Sequence, residues 1–168
     1  VYKFMNPIFG KGVVYDAPLA KRRNQYKILG RALKPSLLRS YPEIISKECA
    51  AFYDAELGSG STKSIMPFFA DLTILTASAT LHGREVREHL FKDVSRLFAT
   101  MDSALSPLGI LAPNLPTPAH RARDRAHKEM IALFSKVIEG RRRRNSPTEN
   151  NNNDMLQKLI DAKYKDGT

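Results

Sequence analysis

Gly10, Lys11 and Gly12 sit in the stretch FGKGVVYD, a lysine between two glycines, which is the composition of a loop that could cradle a phosphate. A nucleotide-binding loop needs four residues between its glycines and a hydroxyl after its lysine, so that amides and hydroxyl converge on the phosphates and their metal. Here one residue separates the glycines and no hydroxyl follows Lys11. The stretch therefore reads as a tight turn ahead of an extended apolar segment. The four histidines, His82, His89, His120 and His127, form two pairs seven residues apart. Neither pair has the i, i+4 spacing and intervening glutamate that bring two imidazoles to one zinc, so they read as surface or capping residues. Ser59 and Ser61 lack the G-x-S-x-G elbow of a serine nucleophile. The single cysteine, Cys49, excludes an internal disulfide and a cysteine zinc cluster. None of these groups amounts to a self-contained active site.

The chain has 168 residues, 42% of them hydrophobic, enough for one domain with a real core. Its net charge of +10 is uneven. Residues 19–34 carry six Lys or Arg and no acid, and residues 117–144 carry nine bases against three acids. Two basic segments on a near-neutral body point to surfaces that meet acidic partners. No window approaches the roughly eighteen uninterrupted apolar residues of a membrane span. Val1 is not an initiator methionine, and the final Tyr-Lys-Asp-Gly-Thr breaks off after a helical pattern, so a piece of a longer protein is expected.

The elements that must position any site read as helices, and the fold class is all-α. Pro18 opens a helix over 19–33, with Tyr26, Leu29 and Leu33 on one side and Arg23, Lys27, Arg31 and Lys34 on a basic stripe. Pro42 opens a second, to about Glu56. Residues 65–81 hold one charge, Asp71, and predict a helix buried on most sides. A clean amphipathic pattern runs from Arg84 to Leu105, and another from about Ala119 to Gly140 with its basic residues outward. Between them, 106–118 is an apolar loop with four prolines, suited to cover a pocket or touch a membrane. Arg141 to Arg144, a basic end to the preceding helix, and the low-complexity Asn150 to Asn153 read as exposed linker, and Asp154 caps a last short helix over 154–164. These segments predict a single partial domain: a loop over 1–18, helices over 19–144, a linker over 145–153 and the last helix. A free-standing basic helical module that binds nucleic acid or another acidic partner through residues 19–34 and 119–144 is the alternative function.

Four runs, VYKFMNPIFGKGVVYD, LTILTASATLHGREVRE, PNLPTPAHRARDRAHKE and LIDAKYKDG, together resemble the sterol 14α-demethylases, a branch of the cytochrome P-450 superfamily. They occur in that family's order and near its spacing, from the loop before helix C through helix H. The resemblance implies a partial cytochrome P-450 fold, well under half of a full-length member. The haem-crossing helix and the loop with the iron-ligating cysteine lie outside it, so Cys49, in what resembles helix D, is not the axial ligand and this piece alone is inactive. It implies haem b, molecular oxygen (O2) and NADPH, the last through NADPH-cytochrome P-450 reductase. It also implies a sterol substrate, a membrane surface at the endoplasmic reticulum, and no nucleic acid.

By the same resemblance, Tyr2 and Tyr15 match tyrosines that bond haem propionates. Phe4, Met5, Phe9 and Val14 match cavity-wall positions, and Leu105, Pro107 and Ile110 match pocket or channel-mouth positions. The family's usual propionate lysine is replaced by Tyr26, so Lys27, Arg23 or the Tyr26 hydroxyl is expected to serve. Arg31 and Lys34 fall on a surface similar to the reductase-docking face. Lys11 is expected to be the least consequential residue of its loop.

Overall fold

The computed structural model describes residues 3–58, 60, 62–144 and 154–163. Tyr2, the 145–153 linker, and Tyr164 to Thr168 lie outside them. Among the described residues the regular structure is helical, with no strand. The helices are α1 (Asn6–Phe9), α2 (Leu19–Ala32), α3 (Pro35–Leu38), α4 (Tyr41–Leu57), α5 (Ile65–Ala77), α6 (Phe91–Asp102), α7 (Pro107–Leu111), α8 (Pro118–Arg143) and α9 (Met155–Ile160). Two compact units are distinguished, one of Val1–Gly30, Asp93–Arg144 and Lys163–Thr168, the other of Arg31–Lys92 and Asn145–Ala162.

In the first unit α1 packs against α8. The core collects Ile8 and Ala17 with Val94, Leu97 and Met101 from α6, and Ala126, Met130 and Val137 from α8. These α6 and α8 residues are the ones the helical period places on a single face. Thr117 caps α8, its hydroxyl accepting from the His120 amide at 3.1 Å, a contact worth about 1 kcal/mol. The helix continues through Arg141–Arg143, which the sequence reading assigns to a linker, and Arg141 is buried. A helix end that keeps its register keeps its inner stripe, and Arg141 follows Met130 and Val137 on it.

In the second unit α4 lies against α5, where Phe68 meets Phe52, Tyr53 and Phe69 with ring centroids 5.0, 5.2 and 5.5 Å away. The expectation that α5 is buried on most sides is corrected. Phe68, Leu72 and Leu75 are buried, while Ile65, Met66 and Phe69 are exposed, because α4 covers one side. The continuous stretch Ile65–His82, at mean hydropathy 1.2, is long and apolar enough to cross a membrane by length and composition, unlike what the search for uninterrupted runs finds; the inner helix of a folded domain passes the same test.

After α5 the helix widens into a π turn over Ser78–His82, breaks at Gly83 with φ of 93°, and resumes with a second π turn over Val86–Leu90 before α6. Hydroxyls bias this bend: Thr73, Thr76 and Thr80 each donate to the carbonyl four residues earlier, at 2.7, 3.0 and 2.7 Å. The Arg87 guanidinium ties the second π turn to α4, its Nε and Nη2 donating to Glu48 Oε2 at 2.7 and 2.6 Å. Asp154 caps α9, accepting from the Gln157 amide at 2.8 Å, as its sequence position predicts.

Candidate functional site

The first unit carries an open cleft of about 680 Å³. Its apolar sector is Phe4, Pro7, Ile110, Leu111 and Pro113, and its polar sector is Asn6, Lys11, Asp16, Asn114, Arg123 and Asp124. Four short pieces of backbone assemble it. A turn over Lys3–Met5 and the single turn of α1 present Phe4, Asn6 and Pro7. The glycine loop presents Lys11 and Asp16; it folds tightly because Gly10 (φ 84°) and Gly12 (φ 73°) occupy the left-handed region that side chains disfavour. Gln25 on α2 holds that loop, donating through Nε2 to the Gly12 carbonyl at 2.9 Å. Helix α7 and the segment after it present Ile110 and Leu111, and the second turn of α8 presents Arg123 and Asp124.

Two side chains of α8 pin the α7 segment. Arg123 is 3% exposed. Its Nη1 donates to the Pro113 carbonyl at 3.0 Å, while its Nε and Nη2 reach Asp124 Oδ1 at 2.8 and 2.7 Å. His120, also buried, places Nδ1 2.6 Å from the Leu115 carbonyl. A carbonyl can only accept, so the proton of that bond sits on Nδ1. Ser106 caps α7 through the Gly109 amide at 3.1 Å. The expectations of an apolar loop over 106–118, of surface or capping histidines and of outward basic residues on α8 are therefore corrected at α7, His120 and Arg123. The Pro113 and Leu115 carbonyls have no helix or strand partner, and the side chains of Arg123 and His120 fold back from α8 to bond them.

Of the expected cavity-wall residues, Phe4 and Ile110 meet at this cavity, whereas Met5, Phe9, Val14, Leu105 and Pro107 are not in its lining. Phe9 packs on Tyr15 instead, ring centroids 5.0 Å apart. Tyr15 is half-buried, and Arg23, Tyr26 and Lys27 are exposed on α2. Tyr26, 56% exposed, does not join the inner side of its helix as the periodicity predicts. Arg31 and Lys34 are exposed, with Lys34 beyond the end of α2 at the start of α3. Cys49 is a half-buried free thiol on α4. Sequence reasoning missed Asn6, Asp16, Arg123 and Asp124, and set Lys11 aside. Only the Asn-Pro step at Asn6, a turn signal, could have drawn attention to one of them. The Asn6 Oδ1 atom is buried and accepts no hydrogen bond from the described residues.

The second unit has a cavity of its own, about 620 Å³, bordered by Tyr41, Lys47, Glu48, Arg84, Arg87 and Asp154 among others. Burial, and then the Asp154 carboxylate, push the Tyr41 phenol above its usual range. No group of three or more His, Cys, Asp and Glu suited to a metal occurs among the described residues.

No protein-family profile matches the chain. Individual relatives do. A sterol 14-demethylase of Arabidopsis thaliana is 44% identical over 167 residues, which is 99% of this chain and 33% of that protein. An obtusifoliol 14-alpha demethylase of Sorghum bicolor is 40% identical over 99% of the chain and 33% of its own length, and a lanosterol 14-alpha demethylase of Rattus norvegicus is 40% identical over 98% and 32%. The chain spans about a third of the length of the curated relatives it matches. At about 40% identity along almost its whole length, the chain is similar to the sterol 14-demethylases over that third of theirs.

Proposed function

We propose that the chain is part of a haem-thiolate monooxygenase that oxidatively removes the 14α-methyl group of sterols. The observation that carries this is the match along 99% of the chain to a sterol 14-demethylase. The cavity between the first loop and α7 supports it, being largely apolar on one side and of a size that holds small organic ligands, about 300–1,000 Å³. The contribution of this piece is positioning: Phe4 and Ile110 line the sterol's path, and α7 covers it as the channel lid.

The residues at the glycine loop and α2 fit a haem by the chemistry of its two carboxylates. Tyr15 offers a phenol donor, with Tyr2 as its companion, and Arg23 and Lys27 offer cations that reach from the exposed side of α2, with Tyr26 standing where the relatives' lysine is expected. When bound, haem would supply the activation of molecular oxygen. Arg31 and Lys34 are exposed cations suited to an acidic NADPH-cytochrome P-450 reductase. The exposed Leu108, Ile110 and Leu111 of α7 suit a membrane-facing entrance at the endoplasmic reticulum. The nucleic-acid reading loses two of its cations, because Arg123 and Arg141 are buried.

The complete protein is expected to give the carbon-monoxide difference band of a thiolate-ligated haem, and addition of a 14α-methyl sterol is expected to shift its absorption. Absence of both would end this reading. Replacing Arg23 and Lys27 together by alanine is expected to weaken haem retention by about two- to fivefold per lost pair, the range of exposed charge pairs. Unchanged retention after gel filtration would remove both from the propionate site.

A further inference from the structure

Three elements of the second unit meet around its open cleft of about 620 Å³: α4 with Tyr41, Ile44 and Lys47, the π-turned bend with Ala79 and Arg84, and the start of α9 with Asp154. Clefts of this size hold small organic molecules, and π turns are frequent at functional sites. Most of the charged lining is spent within the unit: Arg87 grips Glu48, Arg84 lies 3.8 Å from Glu88, and Asp154 caps α9. Two polar groups are not. Tyr41 is 9% exposed, yet its hydroxyl has no hydrogen-bond partner among the described residues, a costly state for a buried donor. Lys47 is exposed and forms no ion pair with a described residue.

A hydroxyl donor and an ammonium on one wall call for two acceptors, one of them anionic. Their residues stand six positions apart on α4, about 9 Å of helical rise, with Ile44 between them. A short chain bearing an acceptor at each end spans that distance better than a single carboxylate does, and its methylenes meet Ile44 and Ala79. Across the whole lining, the acids Glu48, Glu88 and Asp154 balance the cations Lys47, Arg84 and Arg87. A polyanion therefore gains nothing from the net field, whereas a monoanion is placed by Lys47. We infer that this cleft binds a small oxo acid, its carboxylate on the Lys47 ammonium and its carbonyl accepting from the Tyr41 hydroxyl.

The test is calorimetric titration of the complete protein with 6-oxoheptanoate and with heptanoate, which has the same carbon chain and lacks the ketone. The oxo acid is expected to bind more tightly by about 2- to 12-fold, the range of one neutral hydrogen bond. Tyr41→Phe should abolish that preference while leaving heptanoate affinity and thermal stability unchanged, because the hydroxyl has no partner among the described residues to lose. Lys47→Gln should weaken both acids by about two- to fivefold, as loss of an exposed charge pair does. Absence of binding, equal affinity for the two acids, or a preference that survives Tyr41→Phe overturns the inference. Heptylamine bound as tightly as the oxo acid would assign the cleft to a cation beside Asp154 and overturn it too. Saturation with a 14α-methyl sterol should not displace the oxo acid; displacement would place the acid at the sterol's site instead. Since Tyr41 and Lys47 have no part in the proposed haem and sterol contacts, failure here leaves the enzymatic reading standing.

Discussion

Replacing Arg123 by alanine is expected to destabilise the first unit by about 2–3 kcal/mol and to free the α7 segment. Breaking a fully buried ion pair costs about 3–5 kcal/mol. The lower value applies here because Asp124 is half exposed and is rehydrated once its partner is gone. What remains is the Pro113 carbonyl without its 3.0 Å donor and the space of a large buried side chain. Arg123→Met would restore most of the volume without the hydrogen bonds, separating packing from tethering. Amide exchange at Gly109 and proteolysis within 106–117 are the local readouts, and both should rise about 30- to 150-fold if the tether governs opening. A variant within about 0.5 kcal/mol of the parent, with unchanged exchange, would mean that His120 and the Ser106 cap suffice.

A valine at Gly109 is expected to be the other severe change. A Cβ built there would fall on the Ala104 carbonyl oxygen, with the carbonyl carbon 3.3 Å and His120 Nε2 3.4 Å away. The obstacle is backbone, which cannot turn aside as a side chain can, so α7 must lift from the turn at Ala104. Overpacking of this kind costs about 1–3 kcal/mol, with Gly109→Ala at the low end and valine at the high end. Because α7 carries Ile110 and Leu111 into the cavity lining, a sterol titration of the complete protein should weaken in the same order. Wild-type denaturation midpoints and sterol affinity for both variants would show that α7 relaxes without strain.

Both changes concern a segment whose sequence suggests only an apolar, proline-rich connection. Five residues of α7 span little more than one helical turn, so no hydrophobic period can reveal them. The same holds for α1 and α3, at four residues each. Longer patterns were legible. Of the apolar face that the period assigns between Arg84 and Leu105, Val86, Val94, Leu97 and Met101 are buried and Leu90 half-buried, while Phe98 and Leu105 are exposed. Local chemistry was legible too: Asp154 caps α9, and Gly10 and Gly12 adopt positive φ, because a cap or a tight turn depends on a few neighbouring residues. The π turns on either side of Gly83 were not, since a change of helical pitch follows from packing on both sides of the bend.

For the candidate site the division is sharper. From the sequence alone come the all-helical class and the resemblance to the sterol 14α-demethylases, because these depend on side-chain type and order along the chain; Phe4 and Ile110 as expected wall residues follow only from that resemblance. Tertiary structure alone decided that the two residues meet at one cavity, that Lys11 borders it, and that Arg123, His120 and Arg141 turn inward out of a basic helix while Arg121, Arg125 and Lys128 stay outside. Sequence spacing shows which residues share a helix face. Whether a cation on that helix is buried depends on a carbonyl or carboxylate that the chain brings to it by folding back, as Pro113 does ten residues before Arg123.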